Sequence, residues 1–322
     1  MTDPRFQPID PAVMPRFADV ATLLRARRMD LEPGVEIALC GAPFDLGANH
    51  RSGARLAPAA LREASRLMRL VHPTLGIPPF EITNVADVGD APVNPLDAAV
   101  SLERMEAFFT RLNGLGAVPL VVGGDHTVPL PVLRGIARGT PVGVVQFDAH
   151  PDTLDSLQGT RINHATTFRR AFEEGLIDPA RSIQIGLRGP QFSRDDAAGS
   201  RELGFRVITM DEYEEMGRAA VIAEIDRVTG EGSVYISFDI DGLDPSEAIG
   251  TGVPEAGGLR VRDVQVIIRS LAGKDVVGGD ICEVSPGLDP SGLTAVNAAN
   301  ILWEMLCVTA AAVSRRRGNV SR

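Results

Sequence analysis

The sequence predicts an α/β protein built on a mostly parallel sheet with helices on both faces, and three observations carry that expectation. Short apolar runs alternate with amphipathic stretches along most of the 322 residues. The runs are apolar at consecutive positions rather than at every second one, as strands buried on both faces are. Three of them end in acidic and imidazole side chains, at the carboxyl ends of strands where open α/β sheets bind ligands.

The elements follow in order. Residues 1–30, with Pro4, Pro8, Pro11 and Pro15, read as an irregular arm. Residues 31–322 read as one domain, because no Gly/Ser linker, composition shift or internal repeat divides them. Val35–Gly41 opens the sheet and Pro58–Val71 is the first amphipathic helix. Leu96–Leu115 is a second helix, leading into strand Pro119–Gly123. Strand Val142–Phe147 precedes helix Thr166–Gly175, and strands Ser182–Leu187 and Phe205–Thr209 precede helix Ala219–Val228. Strand Val234–Phe238, helix Val261–Leu271, strand Val276–Val284 and helix Thr294–Val313 complete the alternation.

Bulk chemistry narrows the function classes. A net charge of −10 argues against a nucleic-acid or anionic-membrane partner, and Arg315-Arg316-Arg317 is too short to reverse that and reads as a solvated tail. Cys40, Cys282 and Cys307 are odd in number and widely spaced, as buried free thiols of a reducing compartment would be. No uninterrupted apolar run approaches 18 residues and Met1–Pro15 does not resemble a signal peptide, so the expected location is the cytoplasm.

The chemistry concentrates at three strand ends. In Asp148-Ala149-His150-Pro151-Asp152 and in Asp239-Ile240-Asp241, candidate ligands occupy alternate positions, and residues two apart on an extended chain point to one side. His126, in Gly123-Gly124-Asp125-His126, follows a third apolar run. A single Asp after a strand usually caps a turn or a helix. Capping does not account for two imidazoles and four carboxylates gathered in this way. That donor set exceeds one divalent cation and suits two that share bridging carboxylates, which points to a binuclear metal hydrolase.

Other titratable residues carry two readings each. Asp125 orients the His126 ring or caps the next helix. His164 is either a capping or surface histidine, or a group that moves a proton near neutral pH. Glu283, ending an apolar strand, needs a partner when buried: a cationic substrate group, or a core arginine such as Arg55. His50 is a candidate for a pocket mouth, and His72 is placed on the surface.

The ordered set Gly-Gly-Asp-His, Asp-Ala-His-x-Asp, Ser-Phe-Asp-x-Asp-x-x-Asp-Pro, Gly-Thr-Gly-x-Pro and Glu-Val-Ser-Pro resembles the ureohydrolases, the arginase/agmatinase family, from about Val35 to Cys307. The resemblance includes Gly53-Ala54-Arg55 with Ala57-Pro58 before the first helix, and Thr167–Ala171, Glu174–Pro179 and Asp289–Ala295 look closest to the agmatinase and guanidino-acid hydrolase branch. The resemblance implies an arginase-like three-layer αβα fold, a small guanidino substrate cleaved to urea and an amine, and two divalent ions, Mn2+ first and Ni2+ as the other candidate. It implies one metal on His126, Asp148, Asp152 and Asp239, and the other on Asp148, His150, Asp239 and Asp241. Glu283 would hold the guanidinium, Asp152 would accept from the attacking water, His164 would shuttle protons, and Asp244 would hold its loop. It also implies a homo-oligomer, a trimer or hexamer.

The sequence departs from that branch at His164-Ala165-Thr166-Thr167, where the branch has His-Gly-Thr-Pro, and at Ile249 and Val253, where it has Pro and Thr. Pro151 between two ligand positions is also unusual and removes an amide donor. These positions bear on the substrate's tail. A guanidino acid (4-guanidinobutyrate or 3-guanidinopropionate) stands slightly ahead of agmatine, with Thr153–Asn163, including Arg161, as the loop facing the tail. Guanidine, an alkylguanidine or a biguanide, with nickel, is a second reading. A non-catalytic subunit paired with an active paralogue is a third.

Overall fold

The computed structural model describes residues 2–191 and 196–318. Among them, nine strands form one parallel sheet: β1 (Arg27–Arg28), β2 (Ile37–Gly41), β3 (Val85–Asp90), β4 (Val118–Val122), β5 (Gly143–Phe147), β6 (Ile183–Leu187), β7 (Arg206–Thr209), β8 (Ser233–Asp239) and β9 (Asp275–Cys282). The helices are α1 (Ala57–Ala64), α2 (Pro79–Ile82), α3 (Ala98–Gly114), α4 (Pro129–Ile136), α5 (Thr167–Glu173), α6 (Asp196–Glu202), α7 (Met210–Thr229), α8 (Val261–Ser270) and α9 (Leu293–Arg316). This is a three-layer αβα fold. Side chains from α1, α7, α8 and α9 fill one face of the sheet, and those of α3, α4 and α5 fill the other. Alternation along β8 shows the division: Val234, Ile236 and Phe238 enter the first core, Tyr235 the second.

The strand order, β1-β3-β2-β4-β9-β8-β5-β6-β7, positions the site. The chain passes from β4 to β5 leaving a gap of two strands, and β8 and β9 later fill it. Four adjacent parallel strands, β4, β9, β8 and β5, therefore point their carboxyl ends to one place.

Several elements escaped the periodicity. β3 is broken by Asp87 and Asp90, yet Asp87 is buried because Arg62 binds its carboxylate at 2.9 and 3.0 Å and the amide of Leu23 donates to it at 2.9 Å. The bond from Leu23 ties the N-terminal segment to the sheet, with Leu23 and Leu24 buried. Helix α4 carries Pro129 and Pro131, but both fall in the first turn, where the amide donors have no intrahelical partner. Helix α7 begins at Met210, nine residues before the predicted start; the Thr209 side chain caps it and Gly217 kinks it at φ 74°. Helix α9 is long and apolar enough by composition to cross a membrane, and here its residues from Ala298 to Ser314 are buried apart from Asn300.

Two surface expectations are corrected. His72 is buried: its Nε2 donates to Glu304 Oε2 at 2.8 Å, and its Nδ1 accepts from the amides of Thr74 and Leu75 at 3.1 and 3.0 Å. The three arginines after Ser314 are not a free tail. Arg315 donates to the carbonyls of Ala272 and Lys274, Arg316 pairs with Asp275 at 2.7 Å, and Arg317 pairs with Glu36 at 2.9 Å. Cys40, Cys282 and Cys307 are buried free thiols.

Candidate metal centre and active site

Each strand of the central four contributes side chains as it leaves the sheet. After β4 the chain turns through Gly123 and Gly124, where a Cβ on Gly124 would lie 1.4 Å from the Phe44 carbonyl oxygen. That close approach delivers His126 beneath the ends of β5 and β8. Its Nδ1 lies 2.8 Å from Asp152 Oδ2, 3.0 Å from Asp148 Oδ2 and 3.3 Å from Asp239 Oδ2. On the far side, His150 Nδ1 lies 3.1 Å from Asp241 Oδ2 and 3.7 Å from Asp148 Oδ1. Among the described residues three candidate donor groups result, His126–Asp148–Asp152–Asp239, Asp148–His150–Asp241 and, behind the His126 ring, His126–Asp280–Cys282, each with its donor atoms within 4.8 Å of one another. Asp148 belongs to the first two, which open toward the cavity.

Short-range bonds hold these carboxylates. The amide of His150 donates to Asp148 Oδ1 at 2.7 Å, that of Asp241 to Asp239 Oδ1 at 2.9 Å, and that of Ala149 to Asp241 Oδ1 at 3.2 Å. Gln146 Nε2 donates to Asp148 Oδ2 at 2.7 Å, and Gln184 in turn donates to Gln146 Oε1 at 2.7 Å. His126 is held from behind, its Nε2 lying 2.9 Å from Ser237 Oγ, which donates to Asp280 Oδ1 at 3.0 Å. Asp152 and Glu283 adopt left-handed backbone, with φ 52° and 63°. Such a residue costs on the order of 1–3 kcal/mol, and functional sites are where this strain collects.

The electrostatics favour cations. Asp148, Asp152, Asp239 and Asp241 are buried, and among the described residues none forms an ion pair with Arg or Lys. Burial and the neighbouring Asp148 charge push the Asp152 carboxyl up to about 6. Burial, with Asp241 and Asp148, pushes Asp239 well above its ordinary value. Burial disfavours the imidazolium of His126, yet Asp148 and Asp152 raise its pKa well above the usual value. His150 is raised likewise by Asp241 and Asp148 against its burial. Four crowded carboxylates sharing two protonated imidazoles form an arrangement that divalent cations would relieve, and carboxylate with imidazole is a donor set that suits them. The residues fit a metal centre.

Glu283 Oε1 accepts from the amide of His126 at 2.9 Å and lies 3.0 Å from His164 Nδ1, while among the described residues no hydrogen bond occupies Oε2. Burial lowers the His164 pKa, but Glu283 outweighs it and holds the ring at about 9. Both face a cavity of about 160 Å³ that has Asp152, His150, Asp239 and Asp241 at its floor and Leu154, Leu157, Ala165, Leu187 and Val253 among its walls.

The structure thus brings together His126, Asp148, His150, Asp152, Asp239, Asp241, His164 and Glu283. Arg55 pairs with Asp45, not with Glu283. Asp125 does not turn the His126 ring; it accepts from the amides of Thr127 and Gly47 at 2.9 and 2.7 Å. Asp244 holds its loop by accepting from the amides of Ser246, Gly257 and Gly258. Arg161 faces solvent, 3.1 Å from Asp155 and 3.2 Å from Glu173. His50 is exposed, and its neighbour Asn49 lines the cavity instead. Two departures, Ala165 and Val253, are cavity walls, while Thr167 donates its hydroxyl to the His126 carbonyl at 2.6 Å. Sequence reasoning missed Gln146, Gln184, Ser237, Asp280, Asn49 and Arg188. A readable signal existed for the glutamines, each a lone amide inside an apolar strand.

Arg188 is spent on main chain. It donates to the carbonyls of Gly186, Asp241, Gly242, Leu243, Glu255 and Ala256, and so ties the Asp241 turn to the cavity wall.

Comparison with known proteins agrees with this geometry. The family model described as the arginase family matches residues 35–307. Guanidinopropionase of Pseudomonas aeruginosa is 46% identical over 316 residues, covering 98% of this chain and 99% of that one. Guanidinobutyrase of the same organism is 42% identical, covering 96% and 98%. The structure of proclavaminate amidino hydrolase from Streptomyces clavuligerus superposes with a TM-score of 0.89 at 37% identity, covering 92% of this chain and 99% of that one.

Proposed function

The chain belongs to the arginase family, a hydrolase of the C–N bonds of guanidino compounds, and we propose that its substrate is a short guanidino acid of the guanidinopropionate or guanidinobutyrate type. The names of the two relatives support that substrate class, and the aliphatic walls at Leu154, Leu157 and Val253 suit a polymethylene tail. The observation that carries the reading is the set of four buried carboxylates and two imidazoles, of which His150, Asp152, Asp239 and Asp241 line the cavity that Glu283 and His164 face.

His126, Asp148, Asp152 and Asp239 would hold one divalent cation, and Asp148, His150, Asp239 and Asp241 the second. Manganese is the first candidate and nickel the other. When bound, such a pair supplies an ionised water at neutral pH. Oε2 of Glu283, without a hydrogen-bond partner among the described residues, receives the guanidinium through charge-assisted hydrogen bonds and sets its planar carbon over the nucleophile. Asp152 accepts the hydrogen of the attacking oxygen and passes that proton to the leaving nitrogen. His164 gives a second proton from Nδ1 as the carbon–amine bond breaks, and regains from solvent the one released when the water ionised. Net, the water oxygen ends in urea and the amine departs protonated.

A homo-oligomer belongs to the proposal; Val13, Phe17 and Val20, 77%, 84% and 80% exposed, are apolar surface that a second copy would cover. The buried free thiols suit a reducing cytoplasm.

The test is urea release from guanidinopropionate, guanidinobutyrate, agmatine, arginine, guanidine and dimethylbiguanide, with manganese or nickel supplied. Preference for a guanidino acid is expected. Urea from none of them under either metal would end the catalytic assignment. The apolar wall also favours a second reading, an alkylguanidine or biguanide substrate, which the same screen separates.

A further inference from the structure

We infer that Asn49 is a positioning residue for His164, an inference that rests on the proton-carrying role proposed above for that histidine. The His164 ring is held at both nitrogens by segments far apart in sequence: Nδ1 donates to Glu283 Oε1 at 3.0 Å, and Nε2 donates to Asn49 Oδ1 at 3.1 Å. Asn49 lines the cavity on its solvent side, so the outer face of the ring is met at the mouth.

The loop that carries Asn49 is built to hold it there. The amide of Gly47 donates to Asp125 Oδ2 at 2.7 Å, and its carbonyl accepts from the amide of His164 at 3.3 Å. A Cβ at Gly47 would lie 2.1 Å from Thr127 Oγ1, so only glycine lets the loop lie this close. Beyond Asn49, Arg51 donates to the carbonyls of Thr251 and Gly252, both at 3.0 Å, and the amide of Gly53 donates to Asp45 Oδ2 at 2.8 Å. Asn49 is therefore presented from a loop anchored on either side.

The chemistry explains why an acceptor belongs at this position. An imidazole that must release the proton on Nδ1 needs the one on Nε2 to stay. A carbonyl oxygen on Nε2–H keeps it there and fixes the ring rotation. Two acceptors on two ring nitrogens also favour the imidazolium, the form that gives a proton to a leaving amine. The charged groups facing the ring are Glu283, Asp152 and Asp125.

The experiment compares Asn49→Ala, Asn49→Asp and His164→Asn in the metal-loaded enzyme, measuring kcat, KM, metal content and the pH profile of kcat. Asn49→Ala is expected to lower kcat on the order of fivefold, the scale of one hydrogen bond. KM and metal content should hold within about twofold, and the alkaline limb should move to lower pH. Asn49→Asp, a stronger acceptor carrying charge, should move that limb to higher pH. A wild-type kcat and limb in Asn49→Ala overturns the inference. So does a rise in KM alone or a loss of metal, since either places Asn49 elsewhere in the site. Full activity in His164→Asn overturns instead the role proposed for His164; an inactive His164→Asn with an unchanged Asn49→Ala refutes only the present inference.

Discussion

The main-chain amide of His126 donates to Glu283 Oε1 at 2.9 Å across 157 residues of sequence. One oxygen of Glu283 thereby registers the end of β9 against the end of β4 and leaves the other oxygen to the cavity. Replacing Glu283 with Gln keeps the shape and removes the charge. We expect kcat/KM to fall on the order of a hundredfold or more, the loss typical of one partner in a buried, charge-assisted pair. Bound metal should be unchanged, as read by elemental analysis of the same preparation.

His150 touches only the Asp148–Asp241 side of the centre. His150→Ala should therefore retain about one divalent ion per chain rather than two, with the fold intact by circular dichroism. Full activity in this variant would refute the ligand map.

Val253 walls the cavity where the branch has threonine. Val253→Thr should shift the ratio of kcat/KM between guanidinobutyrate and agmatine by about tenfold, the scale of a single side-chain change in a pocket. An unchanged ratio would place substrate selection elsewhere.

Metal-stripped protein should lose thermal stability steadily from pH 5 to pH 9. Asp125 and Asp152, raised to about 6, bind protons more tightly folded than unfolded, so their contribution falls as pH rises through that value. Protonated His164, raised by Glu283, contributes below its unfolded pKa and is lost as pH rises through about 9; His126, raised by Asp148 and Asp152, and His150, raised by Asp241 and Asp148, act in the same direction. Asp148, held well below the carboxylate range, works oppositely and only in strong acid. Saturating metal should flatten the curve and raise it. Melting curves at several pH values, with and without metal, check the sign.

Glu304 joins His72 and Arg269 inside the layer beneath α9. Glu304→Ala should destabilise by about 3–5 kcal/mol, because a buried ion pair broken on one side leaves its partner uncompensated. Denaturant unfolding reads this, while kcat of the folded fraction should stay near wild type.

Much of the fold was legible because parallel strands buried on both faces leave continuous apolar runs. β3 was hidden by Asp87 and Asp90, whose charges Arg62 receives from a helix that no local window contains. α4 was hidden by two prolines that a first turn tolerates. His72 reads as a surface residue until Glu304, 232 positions away, is seen beside it.

Local spacing alone determined the α/β class and the two alternating clusters, because a strand's period of two fixes which side chains share a side. Tertiary structure decided the rest. Strand order set β4, β9, β8 and β5 side by side, so that His126, Glu283, Asp239 and Asp148 meet. It also chose the partners: Asn49 rather than His50 at the mouth, His164 rather than Arg55 on Glu283. Those choices depend on contacts between chain segments more than a hundred residues apart, about which a residue's near neighbours carry no information.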